Sequence, residues 1–336
     1  MKRSGMAILS IAFIFFLAGS PAQAQKFNLT LSGASPGGLW SRIGGGFDAA
    51  IAAAYPGSTI TYQTSPGAGL ANIGLVSRGK VPMGIATDGE VTLALKGLAP
   101  FRSPIRNIRV LFRAYAPAAR FQATHVILNK TFADKYGITS FADIVRKKAP
   151  VRVAINRRGN MDGDIGEMVM TEQGASLAAI KSWGGQVRRA ASKEMVSLML
   201  DRRIDMVVLG IAYRHPRIRE IARGIKPVLL DIPMAVAQKV KNQMGGQICK
   251  FRKGEYKFSN RDITSICVGA LIIVNKSMDR QLAYNLAKGT FTQIEKFKTA
   301  HRLIKKTATP QSMSVPAIIP FHPGTAKYLR EAGLLR

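Results

Sequence analysis

The sequence predicts an α/β fold of two lobes, each a mostly parallel sheet flanked by helices. Apolar and polar residues alternate in KFNLTLSG, residues 26–33, which indicates a strand. The period then changes, and Leu39, Ile43, Phe47 and Ile51 recur every fourth residue, which is one face of a helix. Strand and helix patterns keep alternating along the chain, and this alternation favours a parallel sheet covered on both faces.

The same patterns continue to the end of the first predicted lobe. Strands are expected at 59–64, 81–87 and 108–115, with helices within 65–80 and 88–97. A glycine-bearing turn precedes each of the first helices. Ligands of open parallel sheets bind beyond the carboxyl ends of the strands, so these turns are candidate contacts.

A strand at 124–129 begins a second series, and the two series joined by two strands predict a hinged clamp. Lobe 1 is expected to comprise 25–123 plus 272–336, and lobe 2 to comprise 124–271. The later elements are a helix N-capped by Ser140, a strand at 151–156, a helix through 165–174, a helix and strand within 194–210, a strand at 226–232, a helix followed by polar loops that carry Cys249 within 233–261, one long strand at 263–275, a long helix at 279–300 and a short one at 323–333.

The amino-terminal segment has the pattern of a secretory signal peptide. Lys2 and Arg3 precede a short apolar stretch, and an A-x-A cleavage pattern stands at 22–24. An uncleaved membrane anchor is the alternative, but the stretch is short for a span. No later segment has about 18 unbroken apolar residues. We therefore expect 1–24 to be removed and the remaining chain to be soluble in the periplasm.

The chain is strongly basic, with 49 Lys and Arg against 19 Asp and Glu and a formal net charge of +30. An exported protein rarely meets nucleic acid, and the basic residues are scattered without interleaved aromatics, so no nucleic-acid partner is expected. The densest run, 296–306, is interpreted as a solvated helix face. A positive field favours anionic small ligands and anionic surfaces.

Cys249 and Cys267 are the two cysteines of the sequence. Outside the cytoplasm they could form one disulfide, and two separate buried thiols are the alternative. Two cysteines without nearby histidines cannot make a tetrahedral zinc site. No metal and no cofactor is predicted.

Residues Gly33 to Gly37 spell G-x-S-x-G, the nucleophile motif of serine hydrolases, with Ser35 in the nucleophile position. The residue after the serine would donate its backbone N–H to the oxyanion, and here that residue is Pro36, which has none. The motif also follows the first strand, whereas several strands precede it in hydrolases. The histidines, expected to be surface or capping residues, are His125, His215, His301 and His322.

The glycine-rich turn could instead hold a ligand. Glycine lets the backbone approach a ligand closely, and the N–H groups that open the next helix favour a negative group. A merely tight turn is the alternative for any one loop, but the device recurs in both predicted lobes. The turns are Ser35, Gly37 and Gly38; Thr64, Ser65 and Gly67; Thr87 and Asp88; and Arg157, Arg158, Gly159 and Asn160.

Several stretches, in this order, resemble the TAXI-type solute-binding proteins of TRAP transporters. They are LSGASPGGLWSRIGGGFDAAI, TSPGAGLANIGLVSRGKVPMGIATDGEVTLALKG, RVLFRAYAPAARFQATHVILNK, ITSFADI, VRVAINRRGN, LDRRIDMVVLGIAYRHPRIREIA and FHPGTAKYLREAGLL. The resemblance implies a type II periplasmic-binding-protein fold without enzymatic activity. It also implies a monomer that delivers an organic anion, such as glutamate, to the membrane subunits of a TRAP permease. It further implies ligand contacts from the first three turns and from Tyr213.

One turn departs from the family pattern. Where the family commonly has Gly-Ser-Gly-Thr, this chain has Gly159-Asn160-Met161-Asp162. Arg157 or Arg158 could grip a carboxylate there, and the alternative is that both face solvent. A ligand sensor for a membrane signalling partner is the second functional hypothesis, and an exported hydrolase using Ser35 is the third.

Overall fold

A computed structural model describes residues 26–65, 67–157 and 160–336. The signal peptide predicted at 1–24 lies outside the described residues, as do Arg158 and Gly159 of the second-lobe turn. The described chain forms two sheets flanked by helices, so the predicted α/β architecture is confirmed. None of the helices that the structure describes has the length and apolar character needed to span a bilayer.

The chain up to residue 115 builds four of the five strands of the first sheet. Its elements are β1 (Asn28–Ser32), α1 (Leu39–Ala54), β2 (Thr59–Gln63), α2 (Ala68–Ser77), β3 (Met83–Thr87), α3 (Asp88–Lys96) and β4 (Ile108–Tyr115). Strand β1 pairs in parallel with β2 and with β3. A helix returns the chain after each of these strands, and this connection produces parallel pairing.

The chain then builds the whole of the second sheet. Its elements are β5 (Ala123–Asn129), α4 (Lys130–Tyr136), α5 (Phe141–Arg146), β6 (Arg152–Ile155), α6 (Met161–Thr171), α7 (Leu177–Ser182), β7 (Gln186–Arg189), α8 (Ser192–Leu200), β8 (Met206–Ile211), α9 (Pro216–Gly224), β9 (Pro227–Leu230), α10 (Met234–Met244), β10 (Gln247–Phe251) and β11 (Ile263–Cys267). The strand order is β10-β11-β5-β8-β6-β7, and β9 also pairs with β5.

The last part of the chain returns to the first sheet, whose order is β2-β1-β3-β12-β4. Its elements are β12 (Ala270–Asn275), α11 (Arg280–Thr292), α12 (Ile294–Phe297), α13 (Arg302–Thr307), α14 (Pro310–Met313) and α15 (Pro323–Glu331). The chain passes between the sheets at 116–122 and at 268–269. The lobe divisions at 123/124 and 271/272 stay a prediction.

Four predictions from the sequence are wrong in detail. The sheets are mixed, because β5 and β12 enter their sheets directly from a strand of the other sheet and run antiparallel to β8 and to β3. The strand predicted at 263–275 is two strands, one in each sheet, since a continuous apolar run does not show where its partners change. Cys249 lies on β10 rather than in a loop. The helix predicted at 279–300 is interrupted at Gln293, which ends α11 and precedes α12.

Each sheet has its own core. Helices α1 and α12 cover the first sheet, where Phe112 contacts Phe47 and Phe297 edge to face at 5.1 and 5.8 Å between ring centroids. The second sheet is buried on both faces, by α6 and α10 on one side and by α8 and α9 on the other. Cys249 and Cys267 form a disulfide between the neighbouring strands β10 and β11. The disulfide restrains β10, which carries the loop that follows it.

Candidate functional site

The carboxyl ends of the strands that precede the candidate turns lie where the chain crosses between the sheets. The pairs at this crossing are Ala270 with Tyr115 and Thr87, and Ala123 with Cys267 and Ile211. Strands β1 and β2 run parallel to β3, so their ends share its edge. Strand β6 runs parallel to β8 and ends at the corresponding edge of the second sheet. The two edges therefore face each other across the crossing.

Asn72 of α2 ties the first-lobe turns together. Its side chain is fully buried, accepts a hydrogen bond from Ser32 Oγ at 2.7 Å and donates to the carbonyls of Gly33 and Ile85 at 2.9 and 2.8 Å. Tyr62 holds the same turn from the other side, because its hydroxyl accepts the Ala34 N–H at 2.6 Å. The turn after β1 is thus positioned by neighbouring elements of the first lobe.

The helices at this edge begin in two different ways. Gly38 and Gly67 precede α1 and α2, and a glycine has no side chain with which to cap the first N–H groups. Thr87 caps α3 in a reciprocal box with Glu90, and Asn160 caps α6 by accepting the Asp162 N–H at 2.9 Å. The first N–H groups of α1 and α2 can therefore donate hydrogen bonds to a bound anion.

Helices α3 and α6, from opposite lobes, meet at their N-terminal turns. A Cβ on Gly89 of α3 would overlap the Met161 side chain of α6 and lie 2.5 Å from the Met244 carbonyl oxygen. Only a glycine allows this approach. On the same side Gln122 Nε2 donates to Asp162 Oδ1 at 2.8 Å.

Two carboxyl groups with raised pKa values, Glu90 and Asp162, belong to the two helices that make this contact. Glu90 is buried, and burial together with the charges of Asp162 and Asp164 raises its pKa to about 7, although hydrogen bonds from Thr87 oppose the rise. Loss of surrounding water raises the pKa of Asp162 to about 6, against the hydrogen bond from Gln122. Burial disfavours the charged form of a carboxyl group, and a nearby like charge adds to the effect.

Asp88, two residues before Glu90, is matched with opposite charge. Both carboxylate oxygens pair with the Arg113 guanidinium at 2.9 Å, and Oδ2 also accepts the Gly269 N–H at 2.9 Å. Arg113 is 2% exposed and donates further to the carbonyls of Val315 and Pro316 at 2.7 and 2.8 Å. This ion pair joins α3 to the crossing segment and to the chain after α14.

A chain of polar groups runs from one lobe to the other beside these carboxyl groups. Trp40 Nε1 lies 3.3 Å from the Tyr115 hydroxyl, which lies 3.3 Å from Gln122 Oε1. Burial raises the pKa of Tyr115, so its hydroxyl stays protonated and can donate. Through Gln122 the chain reaches Asp162. The site thus combines N–H donors, hydroxyl and indole groups, and carboxyl groups with raised pKa values.

The model of the NMT1-like family matches residues 31–333. The chain belongs to the NMT1-like family. No curated protein matches the sequence.

Solved structures show the fold of this NMT1-like protein. A TctC solute-binding protein from Polaromonas is 13% identical, over 94% of this chain and 100% of that one, with a TM-score of 0.51. The periplasmic binding protein BugD is 12% identical, over 92% and 98%, with a TM-score of 0.48. MatC from Rhodopseudomonas palustris, solved with bound malate, is 9% identical, over 82% and 87%, with a TM-score of 0.48. The Polaromonas match confirms the predicted two-lobed solute-binding-protein fold, and the TAXI subtype stays a prediction.

The structure brings most of the predicted turn residues to the shared edges. Ser35, Gly37, Gly38, Thr64 and Gly67 are exposed there, and Ser65 is buried. The Thr87 and Asp88 side chains are engaged within the fold, as a cap and as an ion pair. Asn160 faces solvent beside them, and its side chain caps α6. Their roles as ligand contacts remain predictions.

Two predicted contacts point elsewhere. Arg157 is exposed and lies 3.5 Å from Glu194 of α8. Tyr213 packs beneath the Arg120 guanidinium, which lies 4.0 Å from the centroid of the tyrosine ring, and against Phe251 and Tyr256. The NMT1-like chain therefore positions neither side chain against Glu90 or Asp162 in this arrangement.

The histidines have structural roles. His215, His301 and His322 accept backbone N–H groups at the starts of α9, α13 and α15, which confirms the capping prediction. His125 is instead fully buried, with its ring nitrogens 2.8 Å from the Ala123 carbonyl and the Tyr256 hydroxyl, and burial lowers its pKa to about 4. Since all four rings are held in this way, Ser35 has no histidine base among the described residues.

Sequence reasoning missed Asn72, Glu90, Tyr115, Gln122 and Asp162. Glu90 had a detectable signal, because Thr87 and Glu90 stand at the spacing of a capping box. The others share no motif, and their proximity arises from the crossing of the chain between the sheets.

Proposed function

We propose that this NMT1-like protein is the solute-binding receptor of a membrane transporter, and that it holds a small organic acid between its lobes. The observation that carries the proposal is the contact of α3 and α6 beside the two described segments, 116–122 and 268–269, by which the chain crosses between the lobes. A solute bound there would touch both lobes, so its binding energy would favour the closed arrangement. A transporter can then distinguish the loaded protein from the empty one.

The chemistry of the site supports an organic acid that also carries an amino group. The uncapped N–H groups that open α1 suit a carboxylate. Glu90 and Asp162 suit an ammonium group, because a nearby positive charge would favour the ionised form that burial disfavours. The net charge of +30 favours attraction of an anion to the protein as a whole. An acidic amino acid such as glutamate satisfies all three conditions.

We extend the proposal to export and partner. The segment 1–24 would direct the chain to the periplasm. The resemblance to TAXI proteins supports TRAP permease subunits as the membrane partner, contacted transiently by a monomeric receptor.

A thermal-shift titration tests the solute class. The purified protein is titrated with glutamate, with glutarate, which lacks the amino group, and with putrescine, which lacks the carboxylates. We expect glutamate to stabilise most, and a ligand at a hundredfold excess over its Kd adds about 2.7 kcal/mol. Stabilisation by putrescine alone would contradict an organic acid, and equal effects of glutamate and glutarate would contradict the role of the carboxyl pair.

Gly89→Ala tests whether lobe closure is coupled to binding. The added Cβ meets the Met244 carbonyl at 2.5 Å, so the lobes must move apart. We expect a larger radius of gyration in small-angle scattering and solute binding weakened by on the order of 1–3 kcal/mol. The control is Gly45→Ala, an exposed helix position where a Cβ meets nothing within 4 Å. Unchanged affinity in Gly89→Ala would show that closure and binding are independent.

A further inference from the structure

A cavity of about 930 Å³ lies on lobe 2 between α9 and the loop at 254–258. We propose that it binds an anionic amphiphile, a molecule with one phosphate, sulfonate or carboxylate head on an apolar body. The cavity shares no lining residue with the cleft site formed around Glu90 and Asp162. Its volume falls within the range of about 300–1,000 Å³ that is typical of small-molecule sites.

The cavity runs along the side of lobe 2, away from the cleft. Helix α9 begins at Pro216, close to the end of β8 at the crossing, and ends at Gly224. Beyond it Pro227 pairs with Asn129, at the opposite end of β5 from the crossing. A ligand in this cavity would therefore contact lobe 2 alone and could bind in either state of the clamp.

Positive charge dominates the lining. Among the residues that the structure describes, four basic side chains of the lining have neither a hydrogen bond nor an ion pair, and they belong to Arg219, Arg223, Lys226 and Lys257. The lining also includes Lys130, which pairs with Asp134 at 2.6 Å, and Arg214, which donates to a backbone carbonyl. Like charges gathered around one cavity repel each other, and a bound anion converts that repulsion into attraction.

The acidic group of the lining is already neutralised. Both oxygens of the Glu255 carboxylate accept from the Arg120 guanidinium, at 2.7 and 2.9 Å. These hydrogen bonds lower the pKa of Glu255 to about 2, so it stays ionised and paired. It therefore leaves the four unpaired cations without a competing internal anion.

The floor of the cavity is apolar. Ala222, Ile225 and Phe258 contribute exposed or partly exposed apolar surface, and Phe258 lies stacked on Tyr256 with 5.1 Å between ring centroids. A simple inorganic ion would use the charges but leave this surface in water. An alkyl or aromatic body would cover it, and burial of apolar surface adds to the affinity.

The site is held in place before any ligand arrives. The loop at 254–258 is fastened by the pairing of Glu255 with Arg120 and by the Arg214 N–H, which donates to the Tyr256 hydroxyl at 3.0 Å. The disulfide restrains β10, the strand from which the loop departs. Preorganised sites lose less entropy on binding. A free amphiphile and the head group of a membrane phospholipid share the required chemistry.

Isothermal titration with octyl phosphate below its micelle concentration tests the proposal. The groove variant carries Arg219→Glu and Arg223→Glu, which reverse two positive charges of the cavity lining. The control is Arg302→Glu with Lys306→Glu, which has the same charge change and spacing on another exposed helix. We expect the groove variant to bind at least about tenfold more weakly, because charged hydrogen bonds are lost, while the control stays within about twofold. Inorganic phosphate should bind wild type at least about tenfold more weakly than octyl phosphate.

Two further measurements test whether the variants are folded and whether the ligand is a free amphiphile or a lipid head group. Lys257→Glu, on the loop, should also weaken binding while the circular dichroism spectrum stays that of wild type. Retention on phosphatidylglycerol vesicles that the groove variant loses and the control keeps would assign a lipid head group. Octyl phosphate binding without vesicle retention would assign a free amphiphile. Absence of octyl phosphate binding, or equal binding by groove and control variants, would overturn the proposal.

Discussion

Asp88 and Glu90 stand two residues apart in the first turn of α3, and both are buried, yet their surroundings are opposite. Asp88 has a guanidinium and a backbone N–H as partners, from Arg113 and Gly269. Among the residues that the structure describes, Glu90 accepts hydrogen bonds from Thr87 of its own helix cap, and the charges of Asp162 and Asp164 raise its pKa. The Asp88 carboxylate links α3 to β4 and to the crossing segment. Ionisation of Glu90, in contrast, is unfavourable in the folded protein.

This difference separates a structural carboxylate from a candidate functional one. A buried charge that is fully paired stabilises its surroundings only by staying paired. A carboxyl group with a raised pKa in a cleft is typical of a binding or catalytic site. Such a group is unfavourable for folding, and residues of this kind are found mainly where function requires them. Glu90 and Asp162, rather than Asp88, are therefore the carboxyl groups on which the proposed function rests.

Of the three substitutions proposed for this comparison, Arg113→Ala should lower the free energy of unfolding most. It would leave Asp88 buried without a counter-charge, and breaking a buried pair in this way costs about 3–5 kcal/mol. Urea unfolding measures the free energy of unfolding. Arg109→Ala, on the same strand but partly exposed, is the control and should cost less than about 1 kcal/mol. A similar small loss for both would show that the pair does not hold the crossing together.

Glu90→Gln should reduce the pH dependence of the free energy of unfolding. The pKa of Glu90 rises from 4.5 to about 7 on folding, so the folded state binds the proton more tightly. The stability that protonated Glu90 contributes is present below pH 4.5 and is lost as the pH rises to about 7. The loss in wild type amounts to at most about 3 kcal/mol. The variant should show a correspondingly smaller change over this window in urea unfolding.

Glu194→Gln is the control for this pH series, because Glu194 is exposed beside Arg157. Its profile should follow that of wild type. An unchanged slope in Glu90→Gln would mean that Glu90 is not the group responsible, and the distinction between Glu90 and Asp88 would fail.

Asp162→Asn should have the smallest effect, and it separates the two causes of the raised pKa of Glu90, burial and the charge of Asp162. Burial is the first cause of the raised pKa of Glu90, and Asp162 is a lesser one. Removing the Asp162 charge should therefore move the midpoint of the Glu90 titration to lower pH by less than about one unit. Carboxyl carbon NMR measures this midpoint. A larger shift would make repulsion across the cleft, rather than burial, the dominant cause.

The sequence predicts well what depends on neighbours along the chain. Period and turn residues located β1, α1 and β3, and Ser140 caps its helix as expected. These features follow from local hydrogen bonding and from the alternation of buried and exposed positions. The second-lobe strands β7 and β10 are short and partly exposed, so their patterns were too weak to detect.

The sequence alone determined the succession of strands and helices, the basic charge and the glycine-bearing turns, because each is a property of adjacent residues. Only the tertiary structure decided that the run at 263–275 divides between two sheets and that α3 meets α6. It also decided that Asp88 pairs with Arg113 while Glu90 is buried without a cationic partner among the described residues. Such pairings join residues far apart in the chain, and their energies depend on burial and on distance in space, which no local pattern records.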